Sequence, residues 1–181
     1  DVSFCINLIE YLRDPVAALR ELSRVTAQGG WVVMIRPRDF TSVVFHPAVP
    51  TFHQLWYDIE RNLDALSDTW HYSPNAGSKL YQYYTVAGMR EIEITGFVAP
   101  DLCVHAGTPQ FEAEYSKLKT YYTRPASAPE TPLVARMQTL GVWTKSPIPR
   151  VLEEIEAWHS HPHAFMIGAG VCAAGRPCSR P

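Results

Sequence analysis

The chain has 181 residues, 46% of them hydrophobic, and a formal net charge of −2. That length fits one domain with room for a second small lobe, and the apolar share suffices for a buried core. The charge balance removes any electrostatic case for nucleic acid or an anionic membrane, and the longest apolar run, Ala164 to Ala174, is too short to span a bilayer.

In chain order, Val2 to Leu8 is a mostly apolar run of strand length. Asp14-Pro15 predicts a helix start, since Asp accepts from the orphan amides of a first turn and Pro is tolerated at the first helical position. Ala18, Leu19, Leu22 and Val25 recur at helical spacing and predict one buried stripe. Gly29-Gly30 ends that helix, and the continuously apolar Trp31 to Ile35 suits a strand covered on both faces. Strand, helix, strand is a βαβ unit, which predicts two parallel strands joined by a right-handed crossover.

Pro47 and Pro50 make Thr41 to Pro50 read as a loop leaving the C-terminal end of the second strand. Ligands of open α/β sheets bind outside that edge. Thr51 can cap the next helix, whose stripe is Phe52, Leu55, Trp56, Ile59, Leu63 and Leu66. Ser67 to Asn75 is a loop carrying Trp70, His71 and Tyr72. Gly77 to Ala87 is a helix with Leu80, Tyr81, Tyr84 and Ala87 on one side and Gly88 as its stop. Arg90 to Val98 alternates around Ile92 and Ile94, as a half-buried strand does. Helical stripes follow at Phe111, Tyr115, Leu118 and Tyr122, then at Leu133, Val134, Met137 and Leu140 beyond a Pro-rich breaker, Pro125 to Pro132. Pro147 opens a last helix, with Ile148, Val151, Leu152, Ile155 and Trp158, and Ala164 to Ala174 reads as a buried strand. Cys5, Cys103, Cys172 and Cys178 have no paired spacing, which favours reduced thiols in a cytoplasmic protein.

Taken together, Asp1-Val2, Ile9-Glu10-Tyr11-Leu12, Asp14-Pro15, Leu19-Arg20-Glu21, Arg24-Val25, Gly29-Gly30 and Pro37 to Asp39 resemble the second half of a class I S-adenosylmethionine-dependent methyltransferase of the small-molecule type. Tyr11 stands where that family often has His, and Gln28 where it often has Pro. The resemblance continues through Gly77, Leu80, Ala87 and Gly88. It resumes at the end, where Glu156-x-Trp158, Ala164-Phe165, an apolar strand and Ala174-Gly175-Arg176-Pro177 look like the family's last segment. It implies an α/β fold: a partial Rossmann-like sheet of strands four to seven with flanking helices, the last strand antiparallel beside the fifth, and strands one to three absent from the chain. No Gly-x-Gly loop stands between a strand and a helix. Gly168-Ala169-Gly170 lies inside an apolar run with no helix after it. The cofactor-holding half is then expected upstream in the gene or on another chain.

Residues 1–181 are thus expected to form one methyltransferase-like domain, with 40–75 and 108–147 as segments roofing the substrate. The resemblance implies S-adenosylmethionine as cofactor, with Asn7, Leu8 and Ile9 nearest to it. Phe40, Phe45, Trp70 and Tyr72, aromatic residues in loops, are the pocket candidates for a small, largely apolar or aromatic acceptor. Phe52, Trp56, Tyr81 and Tyr84, on helix stripes, are expected in the core. His46 and His71 are candidates for a general base, because neutral imidazole takes a proton at pH near 7. Glu10 is expected as a solvated charge at a helix entry. His159, His161 and His163 read as a surface turn around Pro162, so no metal site is expected. The partners expected are a small-molecule substrate and either a complementing N-terminal half or a second copy of the chain. The rival readings are a methyltransferase-like remnant that binds or scaffolds another protein, and a cyclase or isomerase reusing the pocket.

Overall fold

The computed structural model describes residues 1–66, 72–123 and 130–178. In chain order its elements are β1 (Val2–Ile6), α1 (Pro15–Val25), β2 (Trp31–Arg36), β3 (Val43–His46), α2 (Pro50–Arg61), α3 (Leu63–Leu66), α4 (Leu80–Val86), β4 (Arg90–His105), α5 (Pro109–Tyr122), α6 (Glu130–Thr139), α7 (Ile148–His159) and β5 (Phe165–Arg176). Short 3-10 turns occupy Ile9–Tyr11, Phe40–Ser42 and Gly77–Lys79. No helix of the described residues is long and apolar enough to cross a membrane. The chain divides into two compact units. One gathers the described residues within 1–42, 71–99 and 169–181, the other those within 43–70 and 100–168.

In the first unit, β1, α1 and β2 form the expected βαβ. The two strands are parallel, with Val2 opposite Trp31 and Ile6 opposite Ile35. Asp14 caps α1 by accepting from the Ala17 amide at 2.8 Å, with Pro15 at the first position. The helix stops at Val25, earlier than the glycines. Thr26 is its C-cap, and its hydroxyl bonds the Leu22 carbonyl. Gly29, at φ +80°, and Gly30 make the return, and a Cβ on Gly30 would sit 2.6 Å from the Asp1 carbonyl oxygen. β5 runs antiparallel to β2, with Val32 opposite Gly175 and Arg36 opposite Val171, and β4 also pairs with β5.

Ile9, Leu19, Val32, Met34, Ala76, Leu80, Tyr84, Met89 and Ala173 make this unit's core. Burying each large side chain contributes about 2 kcal/mol. Several expectations fail at its margins. Val25 and Tyr81 are exposed, because they fall at the edges of their helical stripes. β2 buries Val32, Met34 and Arg36 on one face and only half-covers the other. β1 leaves Val2, Phe4 and Ile6 exposed. β4 is longer than its alternation suggested, and Ile94 and Val98 face solvent.

In the second unit the stretch read as a loop contains strand β3. Val43, Val44 and Phe45 are β-branched or aromatic and pair antiparallel with the start of β5, from Val43 opposite Gly168 to His46 opposite Phe165. The helices bury Phe52, Leu55, Trp56 and Ile59 of α2, Phe111, Leu118 and Tyr122 of α5, Met137 of α6, and Val151, Ile155 and Trp158 of α7. Buried indoles find acceptors: Trp56 Nε1 donates to the Tyr122 hydroxyl and Trp158 Nε1 to the Phe165 carbonyl, each at 3.0 Å. Thr51 does not cap α2, since Pro50 already occupies its first position and Val49 its N-cap. The cap comes from Glu154 of α7, which accepts from the Thr51 amide at 2.9 Å and its hydroxyl at 2.6 Å. The stripe expected to run through Leu66 breaks at Asn62, and α3 is a separate turn.

Candidate functional site

The polar residues of the first unit gather where β1 and β2 end. The β1 ladder continues one residue past the strand, as the Asn7 amide donates to the Ile35 carbonyl at 3.2 Å. Asn7 then turns into the left-handed region, at φ 53°, which a short polar side chain tolerates. A 3-10 turn rotates the next residues. Leu8 stays half-exposed, Ile9 enters the core and Glu10 is buried to 1% exposure.

Glu10 is therefore no solvated charge, and the reason is Arg36. The guanidinium, itself buried on the core-facing register of β2, sits with Nη1 2.9 Å from Glu10 Oε1 and 3.4 Å from Asn7 Oδ1. Its Nη2 donates to the Tyr72 hydroxyl at 2.6 Å, and its Nε lies 3.6 Å from Asp39 Oδ1. The Glu10 Oε2 oxygen is buried without a hydrogen-bond partner. Asp39 accepts from the Gly77 and Ser78 amides at 3.0 and 2.8 Å, the natural place for a carboxylate at the start of a helical segment. A Cβ at Gly77 would lie 2.7 Å from Asp39 Oδ2, so only glycine admits this contact.

Backbone bonds tie the same segments together. The Ser73 amide donates to the Glu10 carbonyl, the Phe40 amide to the Pro74 carbonyl, and Asn75 Oδ1 accepts from the Thr41 amide and hydroxyl. The Tyr72 ring lies 5.1 Å from that of Tyr11 and 6.2 Å from that of Phe40. Burial pushes the Tyr72 phenol up to about 12, outweighing the opposite pull of the Arg36 charge. The cluster thus combines half-buried aromatic rings, an exposed amide side chain and a paired cation at the strand ends.

Asn7, Leu8, Phe40 and Tyr72 are brought to one edge, and Ile9 underlies them with its side chain in the core. Phe45 and His46 belong to the other unit. Phe45 is a buried strand residue, not a loop residue, with its ring 5.0 Å from Phe52 and 5.4 Å from Trp158. His46 is exposed, stacked on Phe165 and 5.6 Å from the His161 ring. Trp70 and His71 lie outside the described residues. His159 stacks on Tyr115 at 3.7 Å and meets the Glu112 carboxylate at 2.9 Å. No group of three or more metal-ligating side chains forms among the described residues. The sequence reading missed Arg36 and Asp39. The available signal was a cation closing an otherwise apolar strand, with acids just beyond each strand end.

No family model and no curated protein matches the chain. Among solved structures it is similar to Haemonchus contortus phospholethanolamine N-methyltransferase 2 in complex with phosphomonomethylethanolamine and S-adenosylhomocysteine. The identity is 11%, the TM-score 0.39, and the match covers 98% of this chain and 34% of that one. It is also similar to a Bacillus halodurans methyltransferase candidate, at 12% identity and TM-score 0.39, with 98% and 64% covered. The chain therefore spans less than two thirds of either structure. Likeness at this level carries no argument for chemistry, which rests on the chain's own strand order and side chains.

Proposed function

We propose that this chain forms part of a class I S-adenosylmethionine-dependent methyltransferase acting on a small, largely apolar or aromatic acceptor. The observation that supports it is the strand order. β1 and β2 are parallel through a helix, and the last strand, β5, is reversed beside β2 and also pairs with β4. A reversed last strand beside a parallel pair supports the reading, although β5 also pairs with β3, a strand the resemblance does not include. Ligands of such sheets bind beyond the carboxyl ends of the strands, where Asn7 and Leu8 expose their side chains.

The residues there suit the cofactor. The Arg36 charge, which also touches Asn7 and Tyr72, is paired with Glu10, and the exposed Leu8 and half-buried Phe40 offer apolar surface beside them. When bound, the cofactor supplies an electrophilic methyl group for an acceptor oxygen, nitrogen or carbon. Asn7 and Leu8 would contact its methionine end, while Phe40 and Tyr72 would position a flat acceptor. Where the acceptor needs a base, His71 is the imidazole candidate.

The test is calorimetric titration of S-adenosylhomocysteine into the purified chain, beside a Leu8→Asp variant that changes an exposed site. Micromolar binding that weakens about tenfold in the variant supports the reading. A folded chain that shows no heat up to about 1 mM ligand refutes a cofactor site formed by these residues alone.

A further inference from the structure

We propose that Arg36 is the positioning residue of this site, fixing the cofactor-side loop and the acceptor-side ring in one arrangement. The inference rests on the reading above, in which the Asn7–Ile9 loop faces the cofactor, and adds the residue that sets the loop's geometry.

Burying a guanidinium and a carboxylate contributes little to stability compared with apolar side chains of the same volume. Arg36 and Glu10 are nevertheless 5% and 1% exposed, and they stand at the strand ends rather than at the centre of the core. The planar fork offers donors in three directions, which an ammonium does not. One nitrogen, Nη1, reaches the loop after β1, at Glu10 and Asn7. The second, Nη2, reaches Tyr72, and the third, Nε, faces Asp39 after β2. Three separate segments therefore share one rigid group. The contact with Asn7 Oδ1 orients the amide beside the exposed Leu8, and the bond to Tyr72 sets the ring that lies between Tyr11 and Phe40.

The test compares S-adenosylhomocysteine affinity with thermal stability in three variants. Glu10→Gln with Arg36→Met removes both charges of the pair together, so neither is left buried alone. Tyr72→Phe removes one bond and keeps the ring. Arg36→Lys keeps the charge and loses the fork. The double variant is expected to melt close to the wild type and to bind about tenfold more weakly, Tyr72→Phe about threefold more weakly, and Arg36→Lys in between. A purely structural Arg36 would lower the melting temperature and leave the affinity of the folded protein unchanged. Affinities of Tyr72→Phe and the double variant within about twofold of the wild type overturn the inference. Should the double variant fail to fold, Tyr72→Phe decides alone. Absence of binding by the wild type itself removes the reading of the site, and the positioning role with it.

Discussion

Tyr84 offers the sharpest test of the fold. Its side chain is fully buried, and its hydroxyl lies 3.1 Å from the Val32 carbonyl and 3.0 Å from that of Ala173, bridging β2 and β5. Burial pushes its phenol well above the ordinary range, so it stays a neutral donor. Tyr84→Phe keeps the ring and removes one proton shared by two acceptors, a loss of about 1–1.5 kcal/mol. The ring also explains Gly175. A Cβ there would meet Tyr84 Cδ1 at 2.7 Å and Cε1 at 3.1 Å, and a buried ring has no room to retreat. Gly175→Ala therefore costs about 1–3 kcal/mol by overpacking, equivalent to a melting shift of about 2–4 °C per kcal/mol at this size. Urea unfolding with unchanged m-values measures both losses. The decisive step is a double-mutant cycle: in a Tyr84→Leu background the alanine should cost at least about 1 kcal/mol less. Equal costs in both backgrounds would refute the assignment of Gly175 to the Tyr84 ring.

Tyr72 makes stability depend on alkaline pH. Its folded-state pKa, about 12, lies above the unfolded value, so its contribution is complete below about pH 10 and is lost as pH rises toward 12. The wild type should lose about 2 kcal/mol more than Tyr72→Phe between about pH 9.5 and 11.5, read from urea midpoints; parallel losses would contradict it. Glu154 caps α2 through Thr51 and is itself mostly buried. Glu154→Ala should cost about 1–2 kcal/mol and lower the denaturation midpoint, whereas an unchanged midpoint would deny it the capping role.

Local signals made the βαβ unit legible: Asp14-Pro15 to start the helix, Leu19 to bury it and Gly29-Gly30 to return the chain. Those features act within a few residues of themselves. β3 was hidden because Pro47 and Pro50 follow it closely, and the partner that makes it a strand, Phe165 to Gly168, lies far down the chain. Glu10 was misread for the same reason. Whether a carboxylate is solvated depends on a counter-charge, and Arg36 arrives from another strand. Aromatic residues were sorted well where a helical period fixed their face, as with Phe52, Trp56 and Tyr84, and poorly at its edge, as with Tyr81. Asn7, Leu8, Phe40 and Tyr72 were named from the resemblance and from loop position, but the polar cluster around Arg36 that lies among them was not legible.

The register of β2 connects these two layers of the molecule. Val32, Met34 and Arg36 share one face, so the alternation that buries two apolar side chains also turns the guanidinium inward. A slip of one residue against β5 would send Arg36 outward and bring Ile35 to the polar cluster. Tyr84 opposes that slip by holding carbonyls on both strands. Stability and positioning should therefore separate experimentally. Removing the Tyr84 hydroxyl weakens the whole unit but leaves Arg36 facing Glu10, so affinity for S-adenosylhomocysteine should hold. Removing the Arg36 pair leaves the apolar register intact, so the protein should stay folded while affinity falls. The opposite pairing of outcomes would mean that the polar cluster serves the fold and that the ligand edge is shaped elsewhere.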